Sequence, residues 1–90
     1  MNLRYSRRAL SQLASVHEYL IERNPTAAER VTRSVRSTIE RLKEMPLLGR
    51  ATNERGVHVI VDPEYLYRVF YTVRGDGVVF VLRIFHGRQG

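Results

Sequence analysis

Two hydrophobic periods run through this chain, and the change from one to the other limits its possible folds more than any other feature. Up to about residue 44 the apolar residues recur three and four apart, and from Val57 onward they alternate with polar ones. The first spacing gathers side chains on one stripe of a helix, and the second puts them on one face of a strand. Leu10, Leu13, His17 and Leu20, widened by Val16 and Ile21, predict an amphipathic helix over residues 7–23. Ala28, Val31, Val35, Ile39 and Leu42 predict a second over residues 26–44, with Arg30, Arg33, Arg36, Glu40, Lys43 and Glu44 on its opposite face. Leu3-Arg4-Tyr5 reads as a short first strand, and residues 46–56 as a polar loop. Val57–Val61, Leu66–Arg74 and Val78–His86 read as strands, the last two joined by Gly75-Asp76-Gly77, a connection typical of a hairpin with a bulge. The order is β-α-α-β-β-β. It predicts a single α+β domain over residues 1–90, with a helix hairpin on one face of an antiparallel sheet.

The boundaries have local causes. Ser6 suits an N-cap for the first helix, because its hydroxyl can accept from an orphan amide of the first turn. Asn24-Pro25 breaks that helix. For the second, Thr26-Ala27-Ala28-Glu29 has the form of a capping box. Asn24 as cap with Pro25 at the first helical position competes with it. Met45-Pro46 and Gly49 close the second helix.

Composition narrows the chemistry. The 90 residues include no cysteine, which excludes disulfides, thiolate metal sites and a thiol nucleophile. No apolar run nears the roughly 20 residues that cross a bilayer, and residues 1–8 lack the apolar core of a secretion signal. The expected location is the cytoplasm. The net charge is +6, and Lys43 is the single lysine beside fourteen arginines. Arginine-rich codon usage and a surface that meets an acidic partner both account for this.

Motifs along nearly the whole chain resemble the RelE/ParE superfamily of bacterial toxins. In the helices they are Ala9 to Leu13 with Tyr19-Leu20, then Pro25, Ala28, Val31, Ile39 and Leu42, followed by Pro46 and Gly49-Arg50. In the strands they are Gly56 to Val61, Tyr67-Arg68-Val69-Phe70-Tyr71, and the run from Val79 to Gln89. The ending is similar to that of many ParE-like toxins. The chain departs from the pattern at His58, where members often carry arginine, and at Leu66, where many carry proline.

The resemblance implies one of two activities. RelE-like members cut messenger RNA on the ribosome, and ParE-like members bind DNA gyrase and convert it into a DNA-breaking enzyme. Cleavage by 2′-hydroxyl attack needs a general base, a general acid and cations for the phosphorane. The two alternating lysines of RelE-like nucleases fall at His58 and Ile60, a weak cation and a hydrocarbon. Their arginine is kept at Arg68, Arg88 stands near a further basic position, and their late tyrosine has no counterpart. Arginine cannot serve as the base. The expectation is therefore a gyrase-binding toxin with no catalytic residue and no cofactor. Arg68, Arg83, His86 and Arg88 are then the target-binding candidates. In the alternative, His86, Arg68, Arg88 and His58 form a nuclease site, and an inactive member that only binds its antitoxin is a third reading. The plain role of His86 is a strand-end hydrogen bond, and that of Arg68 a salt bridge to Glu64 or Asp62. His17 has no second histidine at ligand spacing, so no metal is expected.

The resemblance also implies a cognate antitoxin, whose acidic, amphipathic C-terminal segment folds over the toxin. Candidate contacts are Val16, Tyr19, Leu20, Arg33, Arg36 and Tyr67.

Overall fold

The structure, a computed structural model, describes residues 1–86. Strand β1 (Asn2–Tyr5) leads into α1 (Arg7–Arg23) and α2 (Pro25–Glu40), which is extended by a 3₁₀ turn (Arg41–Lys43). Then come β2 (Arg50–Ala51), β3 (His58–Val61), β4 (Tyr67–Val73) and β5 (Val78–His86). The predicted order is present, with one addition: the polar loop contains the two-residue strand β2, antiparallel to β3. The sheet runs β1-β5-β4-β3-β2, and β1 lies parallel to β5.

Side-chain capping sets the helix ends. The Ser6 hydroxyl accepts from the Ala9 amide at 2.9 Å and donates to the Leu82 carbonyl at 2.6 Å. One residue both ends α1 and begins α2: the Asn24 amide donates to the Leu20 carbonyl at 2.6 Å, and its side chain accepts from Ala27 N at 3.1 Å. Of the two competing caps, Asn24 with Pro25 is used, and the Thr26 box is not.

The α2 stripe behaves as its spacing predicts. Ala28, Val31, Val35 and Ile39 are buried, as is Leu42 in the 3₁₀ turn. Burying a Val, Leu or Ile side chain fully contributes about 1.5–3 kcal/mol. The α1 stripe is rotated from the expected one. Ala9 and Leu13 are buried and Val16 and Leu20 pack against them, whereas Leu10 and Ile21 face solvent at 49% and 45% exposure. The small Ala9 lets α1 approach the sheet closely, and that approach fixes which stripe points inward.

The helix side of the sheet carries Ile60, Val69, Tyr71, Val79, Val81 and Ile84. Alternation along β5 breaks once. Phe70 pairs with Arg83 and Tyr71 with Val81, so Leu82 is an extra, bulged residue. The hairpin joining β4 to β5 closes as expected, with Gly77 at φ 83° after the turn.

Candidate functional site

β1 pairs only with residues 78–81 of β5. Beyond it the outer edge of β5 runs beside α1, and Gln12 of α1 accepts the Ile84 amide at 2.6 Å. Between that edge and the helix lies a groove of about 530 Å³, walled by Val16, Tyr19 and Leu20 and floored by Tyr67, Ile84 and His86. Tyr67 meets His86 edge-on, with ring centroids 5.1 Å apart. Burial pushes the Tyr67 phenol above its ordinary pKa, and the Asp62 charge adds to the rise, so it is a hydrogen-bond donor at neutral pH and not a base. Tyr19 is 58% exposed at the rim, with the Arg23 guanidinium 3.8 Å over its ring. Four of the six predicted antitoxin contacts (Val16, Tyr19, Leu20 and Tyr67) thus share one groove. Arg33 and Arg36 lie away from it, together lining a cleft along α2 with His17 and Glu40.

The described members of the predicted nuclease set, His58, Arg68 and His86, do not share one face of the sheet. His58 pairs with Tyr71 across the strands and stacks on its ring at 5.5 Å, on the helix side of the sheet. Its Nδ1 is buried and has no hydrogen-bond partner among the described residues. His86 lies on the same side but pairs with Tyr67, four residues along β4, so the two histidines are separated by about 13 Å of strand. Arg68 and Arg83 occupy the opposite, open face, where Arg68 pairs with Phe85 and Val61, and Arg83 with Phe70. Phe70 and Phe85 stack there at 5.2 Å. The Arg83 guanidinium lies 4.3 Å over the Phe70 ring and bonds Glu54 Oε2 at 3.0 Å. Arg88 lies outside the described residues.

The expected salt bridge of Arg68 is not formed among the described residues. Asp62 is fully buried on the helix side, whereas Arg68 faces the other way. The Asp62 carboxylate accepts from the Ser34 hydroxyl, from the Thr38 hydroxyl at 3.4 Å and from the Tyr65 amide at 2.8 Å. Glu64 lines the cleft beside α2. The roles of Asp62 and Gln12 were missed in the sequence. The signal for Asp62 was the hydroxyl pair Ser34 and Thr38, four apart beside the apolar stripe. Gln12 carried none, since only the staggered end of β1 gives it an amide to accept.

Among the described residues no cluster of histidines and carboxylates could hold a metal ion. No described helix is long and apolar enough to cross a membrane.

The family profile described as the ParE toxin of the type II toxin–antitoxin system parDE matches residues 3–90. This chain belongs to that family. It is 30% identical over 82 residues to the toxin RelE2 of Caulobacter vibrioides, covering 91% of this chain and 90% of the relative. It is 28% identical over 87 residues to the putative toxin Y4kP of Sinorhizobium fredii, covering 97% and 88%. Among solved structures, the toxin resembles a chain of the chromosomal ParDE toxin–antitoxin system of P. aeruginosa at a TM-score of 0.76 and 20% identity, over 96% of this chain and 95% of that one. It resembles a chain of the intact E. coli RelBE toxin–antitoxin complex at 0.67 and 19% identity, over 96% and 95%. These likenesses agree with the α+β fold of two helices on a sheet.

Proposed function

We propose that this toxin acts in the cytoplasm by binding DNA gyrase, and that an antitoxin segment silences it by filling the groove between α1 and β5. The observation behind the first part is the split of the candidate residues between the two faces of the sheet. A ribonuclease must set its proton-transfer groups and its cations around one phosphate, within hydrogen-bond reach. Here His58 and His86 are on the helix side, and Arg68 and Arg83 are on the open side. Arg83 is further committed to Glu54 and Phe70. A surface that binds a protein has no such requirement. The open face, with its stacked phenylalanines and arginines, resembles the centre of a protein interface in composition.

The groove supports the second part. Val16, Leu20 and Ile84 give it apolar anchor points beside the polar Ser11, Gln12 and Ser15, and its β5 edge carries backbone groups that an extended or helical segment could meet. The net charge of +6 favours an acidic partner.

Purified toxin added in parallel to a gyrase supercoiling assay and to coupled translation tests the target. Supercoiling should fail while translation continues. Message cut at defined codons, with normal supercoiling, would establish the nuclease alternative. In that case His86→Ala would reduce cleavage by about 100-fold or more.

A further inference from the structure

We propose that the cleft along the outer side of α2 binds the phosphodiester backbone of duplex DNA. The cleft opens between α2 and the turn joining β3 to β4, with a volume of about 370 Å³. Arg30, Arg33 and Arg41 wall it, with Ser37 among them. Among the described residues Arg33 has one carboxylate neighbour, Glu29 at 3.8 Å, and no ion pair engages Arg30 or Arg41. A row of exposed guanidiniums, two of which are in no ion pair among the described residues, attracts an anion.

The length of the row selects the kind of anion. Eleven residues separate Arg30 from Arg41, a run of about 16 Å at helical rise. One strand of duplex DNA presents a phosphate every 3.4 Å or so of its axis. A small anion would engage one arginine at a time, whereas a backbone engages all three.

The lining distinguishes DNA from an acidic peptide. Six of its nine lining residues are arginine, serine or threonine, with Pro63 and Tyr65 beside them. An amphipathic peptide needs apolar pockets for its anchors, and these lie in the groove between α1 and β5. The buried Asp62 does not block the cleft. It lies beneath Ser34 and Thr38, whose hydroxyls donate to it. Glu64 is a carboxylate in the lining and opposes an incoming phosphate. The proposal is independent of whether the toxin attacks gyrase or RNA.

The intact toxin is titrated onto a short fluorescent duplex by anisotropy between about 50 and 200 mM salt. Three phosphate contacts should make the affinity fall about 40-fold over that range, since each contact contributes a log–log slope of about −0.9. The double variant Arg30→Gln/Arg41→Gln leaves one contact, so the fall should shrink to about 3- to 4-fold. Arg7→Gln/Arg8→Gln removes the same charge from the exposed start of α1 and should leave the slope unchanged. Glu64→Gln should tighten binding. Circular-dichroism melts of all variants should match the parent, because every altered arginine is exposed. Absence of binding at the lowest salt overturns the proposal, as does an equal change in both double variants. A poly-glutamate peptide that binds with the same dependence on Arg30 and Arg41 would assign the cleft to acidic protein. Single-stranded RNA bound more tightly than the duplex would assign it to RNA. Either result also overturns the proposal.

Discussion

Replacing Tyr71 with phenylalanine deletes one oxygen atom and two hydrogen bonds. The Tyr71 ring is wholly buried, and its hydroxyl donates to the Pro46 carbonyl at 2.8 Å and accepts from the Gly49 amide at 2.9 Å. That atom ties the loop leaving α2 to the middle of the sheet. Each bond contributes about 0.5–1.5 kcal/mol net, and a buried group left unpaired costs about 1–3 kcal/mol. Tyr71→Phe should therefore lose about 2–4 kcal/mol. At about 4–8 °C per kcal/mol for a domain of this size, its Tm should drop by about 8–30 °C. Gly49 tests the same contact from the other side. A Cβ there would sit 2.7 Å from the Tyr71 hydroxyl and 2.7 Å from the Val59 carbonyl. The second of these is backbone of β3 and cannot turn aside, so the loop must move and the bond to Tyr71 goes with it. Gly49→Ala should lose about 2–4 kcal/mol through overpacking and the broken bond. Because both changes act on one contact, the double variant should lose less than the sum, by about 1 kcal/mol or more. Urea denaturation of the four proteins, followed by circular dichroism, measures the cycle. Tyr71→Phe within about 0.5 kcal/mol of the parent, or strict additivity in the double variant, would refute the reasoning.

Other perturbations follow from the same geometry. Asp62→Ala orphans the hydroxyls of Ser34 and Thr38 and the amide of Tyr65, and should lower stability by about 3 kcal/mol in a denaturation experiment. Asn24→Ala should cost about 1 kcal/mol while Thr26→Ala changes little, because Asn24 is the cap in use; paired thermal melts distinguish them. Burial raises the phenol pKa of Tyr5, Tyr67 and Tyr71. The fold thus favours the neutral phenols, a contribution fully present below about pH 10 and lost as pH rises through the raised values. Stability should fall above about pH 10, less steeply in Tyr71→Phe, as read by tyrosinate absorbance against unfolding.

The helices and strands were legible because each apolar stripe keeps one period. Ala28 to Leu42 needed nothing beyond spacing, and Gly75-Asp76-Gly77 announced its hairpin. The rotation of α1 was not legible, since Leu10 and Leu13 weigh alike until Ala9 allows a close approach. Nor was the position of β1, because three residues do not reveal which strand they will join. The candidate groove emerged only in part. Val16, Tyr19, Leu20 and Tyr67 were named from the resemblance, but their meeting depends on β5 running past β1. The split of His58 and His86 from Arg68 and Arg83 rests on parity in β3 and β4 and on the bulge at Leu82. A bulge shifts every later residue of its strand to the other face, and the alternation of Val79, Val81, Arg83 and Phe85 alone would have put all four together.

The parallel pairing of Leu3 with Val79 carries a further consequence, for the order of events during synthesis. β1 leaves the ribosome early, yet the strand that receives it is made more than seventy residues later. Until β5 exists, β1 has no neighbour, the Ser6 cap lacks the Leu82 carbonyl that its hydroxyl meets, and Gln12 has no amide to accept. The helix hairpin can form on its own local contacts, but its buried stripe has no sheet to cover it. Long-range closure of this kind slows folding and leaves apolar surface open in the meantime. The groove of α1 and β5 comes into being at the same late step, so a partner that recognises it can engage only a toxin whose synthesis has already passed residue 86.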